Sequence, residues 1–428
     1  MATSNRDRAI ALGGVLCGVV GGVLLERLGR RFWGDGKRTL QNSSDVVKSG
    51  KDVFVDREAL EGFVANIVWM CGVTQEKAVL VARVLVAADC RGVPSHGVNR
   101  AEMYCGELRA GLIDSSAEPE IVKETASVAT VDGHNGLGAV VSKFAMNLAI
   151  QKARQTGVGL VVCRRSNHFG IAGFWAEFAL REKMIGFSFT NTSPFMVPTR
   201  TCTRAGGTNP ISFYCPAGPG DSFQLDMATT TVPVGKVEVC HRKGQKLPLG
   251  WGVDASGTRS TTDPVEVMAR GGLTPLGGLE ETAGYKGYGL NMMVEILSAV
   301  LSGCDHVGPD VPPWKVDRGC PVDYGHCFLA IDPDKLVSGD KFQDVMATYL
   351  ARMRGLQPAD PNYPVLVPGD PEREEERLAS KQGVRLNEKV ALGLRALARE
   401  VGCTEDILPA PIRELPEVAA PKHFMAKS

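Results

Sequence analysis

The chain has no excess of charge of either sign: Lys plus Arg and Asp plus Glu both total 48 in 428 residues. No bulk positive charge is present to hold a phosphate backbone, so nucleic-acid binding has no compositional support. The 12 cysteines include no C-x-x-C pair and fall at wide, irregular intervals. That spacing argues against a disulfide framework or a structural zinc site and favours a reducing compartment. Cys320, His326 and Cys327 form the densest group, and packing explains buried cysteines of this kind without a metal; none is expected. Two nucleotide signatures are also missing. No G-x-G-x-x-G lies between a strand and a helix with an acidic residue about 20 positions on, which excludes a Rossmann crevice. GVGLVV at Gly157 to Val162 has only two glycines and sits inside an apolar strand. G-x-x-x-x-G-K-[ST] is absent too, which excludes a P-loop.

With 44% hydrophobic and 22% charged residues, the chain can bury one large core or two to three smaller ones. From Ala9 to Leu25 it carries no charge, with Arg6 and Arg8 before the run and Arg27, Arg30 and Arg31 after it. Its roughly 17 residues lie at the lower edge of a bilayer span. Gly14, Gly18 and Gly22 have the small-xxx-small spacing of closely packed helices. An uncleaved anchor or a mitochondrial targeting segment is expected, ahead of a cleaved signal peptide, because no A-x-A-like site follows. The heavier positive flank after the run would keep the body on the cytosolic or matrix side. Phe32 to Ser49 reads as a linker.

The folded body opens near Val53. Asp56 is placed to cap a helix whose Leu60, Phe63, Val64, Ile67 and Val68 repeat at helical spacing, with a stop at Gly72. Thr74 caps a second, with Ala78, Val81, Ala82, Leu85 and Ala88 on one face, ending at Gly92 before the turn Val-Pro-Ser-His-Gly. From about Ser127, strand-like VATVD, a helix from Ala139 to Gln155, the strand GVGLVVC, a helix around Phe174 to Lys183 and the strand IGFSFTN alternate. Such alternation predicts an α/β layer. Leu290, Met293, Val294, Leu297 and Leu301 line a later helix, and helical character returns at Glu372 to Arg377 and after Asn387.

Four polar clusters stand beside glycines, where backbone approaches a ligand. In Ser95-His96-Gly97-Val98-Asn99-Arg100, Arg100 offers a planar fork for a carboxylate and His96 an imidazole suited to proton transfer; a plain surface turn is the alternative. Ser166-Asn167-His168-Phe169-Gly170 follows a strand, at the end where α/β sheets gather ligands, although a structural histidine fits equally. Gly206-Gly207-Thr208-Asn209-Pro210 and Asp226-Met227-Ala228-Thr229-Thr230 form the third. There Asp226 either holds an imidazole in one tautomer or caps the next turn. In Gly284-Tyr285-Lys286-Gly287-Tyr288-Gly289, a lysine at a helix start suits phosphate or ribose, or is simply an exposed lysine.

Taken together, ADCRGVPSHGVNRAEMY, SNHFGIAG, TNTSPFMVP, GTNPISF, DMATT and GYKGYGL, with PVLVPGDPERE near the C-terminus, resemble the malate/L-lactate dehydrogenase type 2 family. The resemblance covers nearly everything after about residue 53. It implies a non-Rossmann α/β fold: a helical N-terminal domain at 53–125, joined by C-terminal helices at 370–405, and an α/β cofactor-binding and catalytic domain at 126–369. The flanks are an N-terminal hydrophobic segment and linker at 1–52 and a C-terminal tail at 406–428. It further implies a homodimer, NAD as cofactor with NADP as the alternative, and hydride exchange with a small 2-hydroxy/2-oxo acid. A cyclic imino-acid reductase of the same fold and a non-catalytic membrane-tethered binding protein are the rival readings. His168 is implied as proton donor/acceptor, with His96, supported by Asp226, as second candidate. Ser95, Arg100 and Thr192 would face substrate, with Arg100 on its carboxylate. Asp226, Met227, Ala228 and Lys286 would contact the cofactor, with Thr208 and Asn209 close by. Thr192 stands where serine is common, and TRTCTRA at 199–205 replaces a glycine-rich turn, which leaves cofactor-side detail there open.

Overall fold

The computed structural model describes residues 52–242 and 244–416. The apolar Ala9–Leu25 run lies outside them. Among the described residues, no helix is long and apolar enough to cross a membrane.

The first strand, β1 (Asp52–Val55), leads into α1 (Arg57–Trp69) and α2 (Gln75–Cys90). The expected caps form: the Asp56 carboxylate accepts from the Ala59 N–H at 2.9 Å, and the Thr74 hydroxyl from that of Lys77 at 3.4 Å. Each satisfies an amide that the helix start leaves open. After two 3₁₀ turns comes α3 (Ala101–Arg109). The body then runs β2 (Glu120–Glu124), β3 (Val128–Asp132), α4 (Gly138–Thr156), β4 (Val158–Ser166), α5 (Ala172–Arg181), β5 (Ile185–Thr190), β6 (Ile211–Pro216) and β7 (Ser222–Met227). Beyond it lie α6 (Val234–Arg242), the short pair β8 (Gly252–Val253) and β9 (Gly272–Leu273) with α7 (Pro264–Ala269) between them, and α8 (Gly284–Glu295), which continues as a π-helical turn at Ile296–Val300. The chain closes with β10 (Tyr324–Ile331), α9 (Gly339–Arg354), α10 (Asp370–Gln382), β11 (Val384–Asn387), α11 (Glu388–Glu400) and α12 (Ala410–Arg413). Within Gly355–Val365, the Asp360 carboxylate accepts from the Asn362 backbone, a local turn.

The central sheet has seven strands in the order β2-β3-β4-β10-β5-β6-β7. Only β3 and β4 pair in parallel; the other five pairings are antiparallel. The β3-α4-β4 crossover therefore supplies the α/β character, and β10 arrives late in the chain to separate β4 from β5. One core runs from Leu60, Phe63 and Leu85 of the helices through Val161, Trp175 and Phe328 under the sheet to Leu394 and Ile412. Burial of that continuous apolar surface is the main stabilising term. β1 pairs with β11, so the two ends of the described chain close on each other.

Candidate active site

The site is built outward from the C-terminal turn of α2. There the Asp89 carboxylate accepts from the Val98 N–H at 2.7 Å, and a Cβ on Gly97 would sit 2.1 Å from Asp89 Oδ1. Only glycine allows this approach, which pins the two 3₁₀ turns, Pro94–His96 and Val98–Arg100. Burial pushes the Asp89 carboxyl up to about 8 despite the Val98 N–H. A raised pKa means that the folded chain keeps a proton which the unfolded chain releases near pH 4. Asp89 therefore contributes stability in acid that is lost as pH rises through about 8. Asp89→Asn retains an acceptor for Val98 and cannot ionise. Urea midpoints of the variant are expected to fall less than those of the parent between about pH 5 and pH 8; parallel curves would show that Asp89 is not the group responsible.

These turns carry three expected residues. The Ser95 hydroxyl lies 2.9 Å from His96 Nδ1, and Arg100, 7% exposed, donates from Nε to the Ser95 carbonyl at 2.6 Å. Its Nη2 is 3.8 Å from Glu238 on α6, a loose pairing. His168, from the loop after β4, meets the same place: its ring stacks with His96 at 5.6 Å between centroids. The Tyr104 hydroxyl of α3 is 2.6 Å from His168 Nδ1, and the Gly170 N–H donates to the same atom at 3.3 Å. An amide N–H can only donate, so Nδ1 is the acceptor and the neutral ring carries its proton on Nε2. Nε2 has no partner among the described residues. Both imidazoles touch solvent on one side but are closely enclosed elsewhere. Burial, then the Arg100 charge, lowers His96 to about 3. Burial, followed by the nearby His96, Arg100 and His326, holds His168 well below the usual imidazole range.

Three residues of this site escaped sequence reasoning. Trp314 lies on His168, 4.2 Å between centroids and 10° from parallel, with the Arg100 guanidinium carbon 5.7 Å from the indole centroid. Its indole N–H donates to Glu107 at 3.1 Å, and Glu107 is paired with Arg318 in full burial. Tyr104 is the third, and burial raises its phenol above its ordinary value. One signal was available: in the α3 segment Tyr104 and Glu107 are three apart, so they project from neighbouring positions of one helix.

Thr192, expected on the substrate side, is bonded to two residues expected on the cofactor side. Thr192 Oγ1 accepts from the Thr208 N–H at 2.9 Å, and the Thr192 N–H donates to Asn209 Oδ1 at 3.0 Å. Asn209 is fully buried and also donates to Glu295 at 2.7 Å, so it holds this wall from behind. Met227 ends β7 and Ala228 follows it, both half-buried. Asp226 does neither of the two things expected of it: its carboxylate accepts from the Gly173 N–H in the first turn of α5 at 2.7 Å, and among the described residues it bonds neither to an imidazole nor to the turn that follows it. It touches solvent on one side, while burial on the others pushes it up to about 6. Lys286 stands exposed in the first turn of α8, with no side-chain partner among the described residues. The neighbouring Gly287 serves packing, since a Cβ there would meet the Leu276 carbonyl at 2.2 Å. The departure at 199–205 is braced by Arg204, which donates to the carbonyls of Gly271, Val267 and Met268. The Cys320, His326, Cys327 group is dispersed: Cys320 is exposed, and His326 is buried between Thr190 and Ser166.

A buried guanidinium thus stands beside an imidazole whose Nε2 has no partner among the described residues, on a mixed α/β body. The chain belongs to the malate/L-lactate dehydrogenase family, whose model matches residues 55–395. It is 38% identical over 353 residues to a malate dehydrogenase of Pyrococcus abyssi, covering 82% of this chain and 95% of that one. An L-sulfolactate dehydrogenase of Methanocaldococcus jannaschii is 37% identical over 332 residues, covering 77% and 92%. Among solved structures, the malate dehydrogenase of Pyrococcus horikoshii superposes with a TM-score of 0.76 at 34% identity, covering 85% of this chain and 99% of that one.

Proposed function

We infer that the protein moves a hydride between a nicotinamide dinucleotide, NAD first and NADP as the alternative, and a small 2-hydroxy/2-oxo acid of malate or lactate type. The observation that carries this reading is the placement of buried Arg100 and of His168, whose Nε2 has no partner among the described residues, against one aromatic ring, Trp314. The residues present fit the dinucleotide: Lys286 offers an exposed cation, and Met227 and Ala228 keep accessible surface at the end of β7. Asp226, Thr208 and Asn209 shape the wall beside them. When bound, the nicotinamide supplies or accepts the hydride.

Arg100 clamps the substrate carboxylate with Ser95 and Thr192 nearby, and His168, protonated once the carboxylate is bound, gives its Nε2 proton to the keto oxygen as hydride reaches C2 and is left neutral with its proton on Nδ1 facing the Tyr104 oxygen. His168 is the main proton donor/acceptor and His96 the supporting one, because Tyr104 and Gly170 engage Nδ1 of His168 and so orient its Nε2. A carboxylate on Arg100 offsets the charge that depresses both imidazoles, so substrate binding brings His168 back toward its working range. A panel of pyruvate, oxaloacetate and a cyclic imine with NADH and NADPH tests the reading. Turnover of 2-oxo acids supports it; turnover of the imine alone, or of nothing by folded protein, overturns it.

The homodimer reading is supported by apolar surface on α8 and its continuation, where Met292, Met293, Ile296, Val300 and Leu301 are exposed. A patch of this kind marks an association face. Ala9–Leu25 is read as a membrane tether or targeting segment that leaves the enzyme in the cytosol or mitochondrion. Fractionation of chains with and without the first 50 residues separates these readings from a dispensable leader.

A further inference from the structure

We propose that Trp314 is the wall that limits how large a 2-oxo acid the site admits, selecting substrates with a short, unbranched C3 substituent. The proposal rests on the function inferred above and adds the substrate class.

Trp314 faces both inferred anchors: its ring lies 4.2 Å from that of His168 between centroids, and its indole centroid lies 5.7 Å from the Arg100 guanidinium carbon. An imidazole donates along its edge, in the ring plane. A ring stacked on its face therefore leaves Nε2 open and forms a side of the space next to it. A substrate held by carboxylate and keto oxygen is fixed at two points, and its C3 substituent is the part left to meet this wall.

The wall is braced against yielding. Its indole N–H is tied to Glu107, which is buried with Arg318 in an ion pair. Arg318 in turn donates to the carbonyls of Cys320 at 2.6 Å and Lys315 at 2.8 Å, which fixes the turn that carries Trp314. Swinging the indole aside would break its bond to Glu107 and leave a buried N–H without that acceptor, so the indole has little freedom to make way for a larger substrate. None of the polar clusters that define the chemistry needs an indole here, so its bulk is the property that remains to be explained.

The test is the ratio of kcat/KM for phenylpyruvate to that for pyruvate in the parent, Trp314→Phe and Trp314→Ala. The ratio cancels the amount of folded, active enzyme, and a merely structural role would lower both rates alike. Removing bulk from an apolar pocket wall is expected to raise the ratio about tenfold or more in Trp314→Ala, with Trp314→Phe between. A ratio that stays within about twofold of the parent, or a parent that already prefers phenylpyruvate, overturns the wall while leaving the dehydrogenase reading in place. A parent that reduces no 2-oxo acid removes both.

Discussion

Replacing Arg100 by methionine is expected to lower kcat/KM for 2-oxo acids about 100- to 1000-fold while nucleotide binding is retained. The guanidinium is 7% exposed and held by the Ser95 carbonyl. A substrate carboxylate brought to this place loses its water and must be paid back by charge-assisted bonds. Leaving one member of such a pair unmatched costs about 2–5 kcal/mol, where each 1.4 kcal/mol is tenfold. Arg100→Lys keeps the charge but not the fork, so it is expected to recover only part of the loss. Steady-state kinetics beside a fluorescence titration of NADH separates the outcomes. Parental turnover in Arg100→Met would remove Arg100 from the site, and loss of nucleotide binding would show a structural role.

The second large effect concerns His168. His168→Asn keeps a hydrogen-bonding side chain but no group able to exchange a proton, and kcat is expected to fall about 100- to 10,000-fold. His96→Asn should cost less, because His96 Nδ1 is engaged with Ser95 and no tyrosine sets its tautomer. Equal losses in the two variants, or a larger one in His96→Asn, would reverse the assignment. Tyr104→Phe distinguishes orientation from packing: with Tyr104 gone, only the Gly170 N–H holds Nδ1, and the pH profile of kcat should shift.

Much of this fold could be read locally. The caps at Asp56 and Thr74, the helical faces of α1 and α2, and the β3-α4-β4-α5-β5 alternation depend on neighbours in the chain, and they formed within about three residues of where they were expected, β4 running on past Cys163 to Ser166. The rest depends on pairing across long separations. β1 meets β11, and β10 slots between β4 and β5, through registers that periodicity does not encode. The site divides in the same way. Ser95, His96, Arg100 and His168 stand in glycine-rich polar clusters, visible as departures from an apolar pattern. Tyr104 reaches His168 across 64 positions, and Trp314 reaches Glu107 across 207. Nothing local marks a tryptophan as the roof of an imidazole. Asp226 was open between two local roles, and its actual partner, the Gly173 amide 53 positions earlier, is one that its neighbours in the chain do not reveal.

The most direct test of the central claim is the fate of the hydride itself. The full-length protein would be given NADH or NADPH deuterated at nicotinamide C4 on one face and then on the other, together with pyruvate or oxaloacetate, and the product examined by mass spectrometry and proton NMR. A 2-hydroxy acid carrying one deuteron at C2, formed with only one of the two labelled faces, is the expected result. Product without deuterium from either face, or no 2-hydroxy acid from protein that is folded and binds nucleotide, would contradict it.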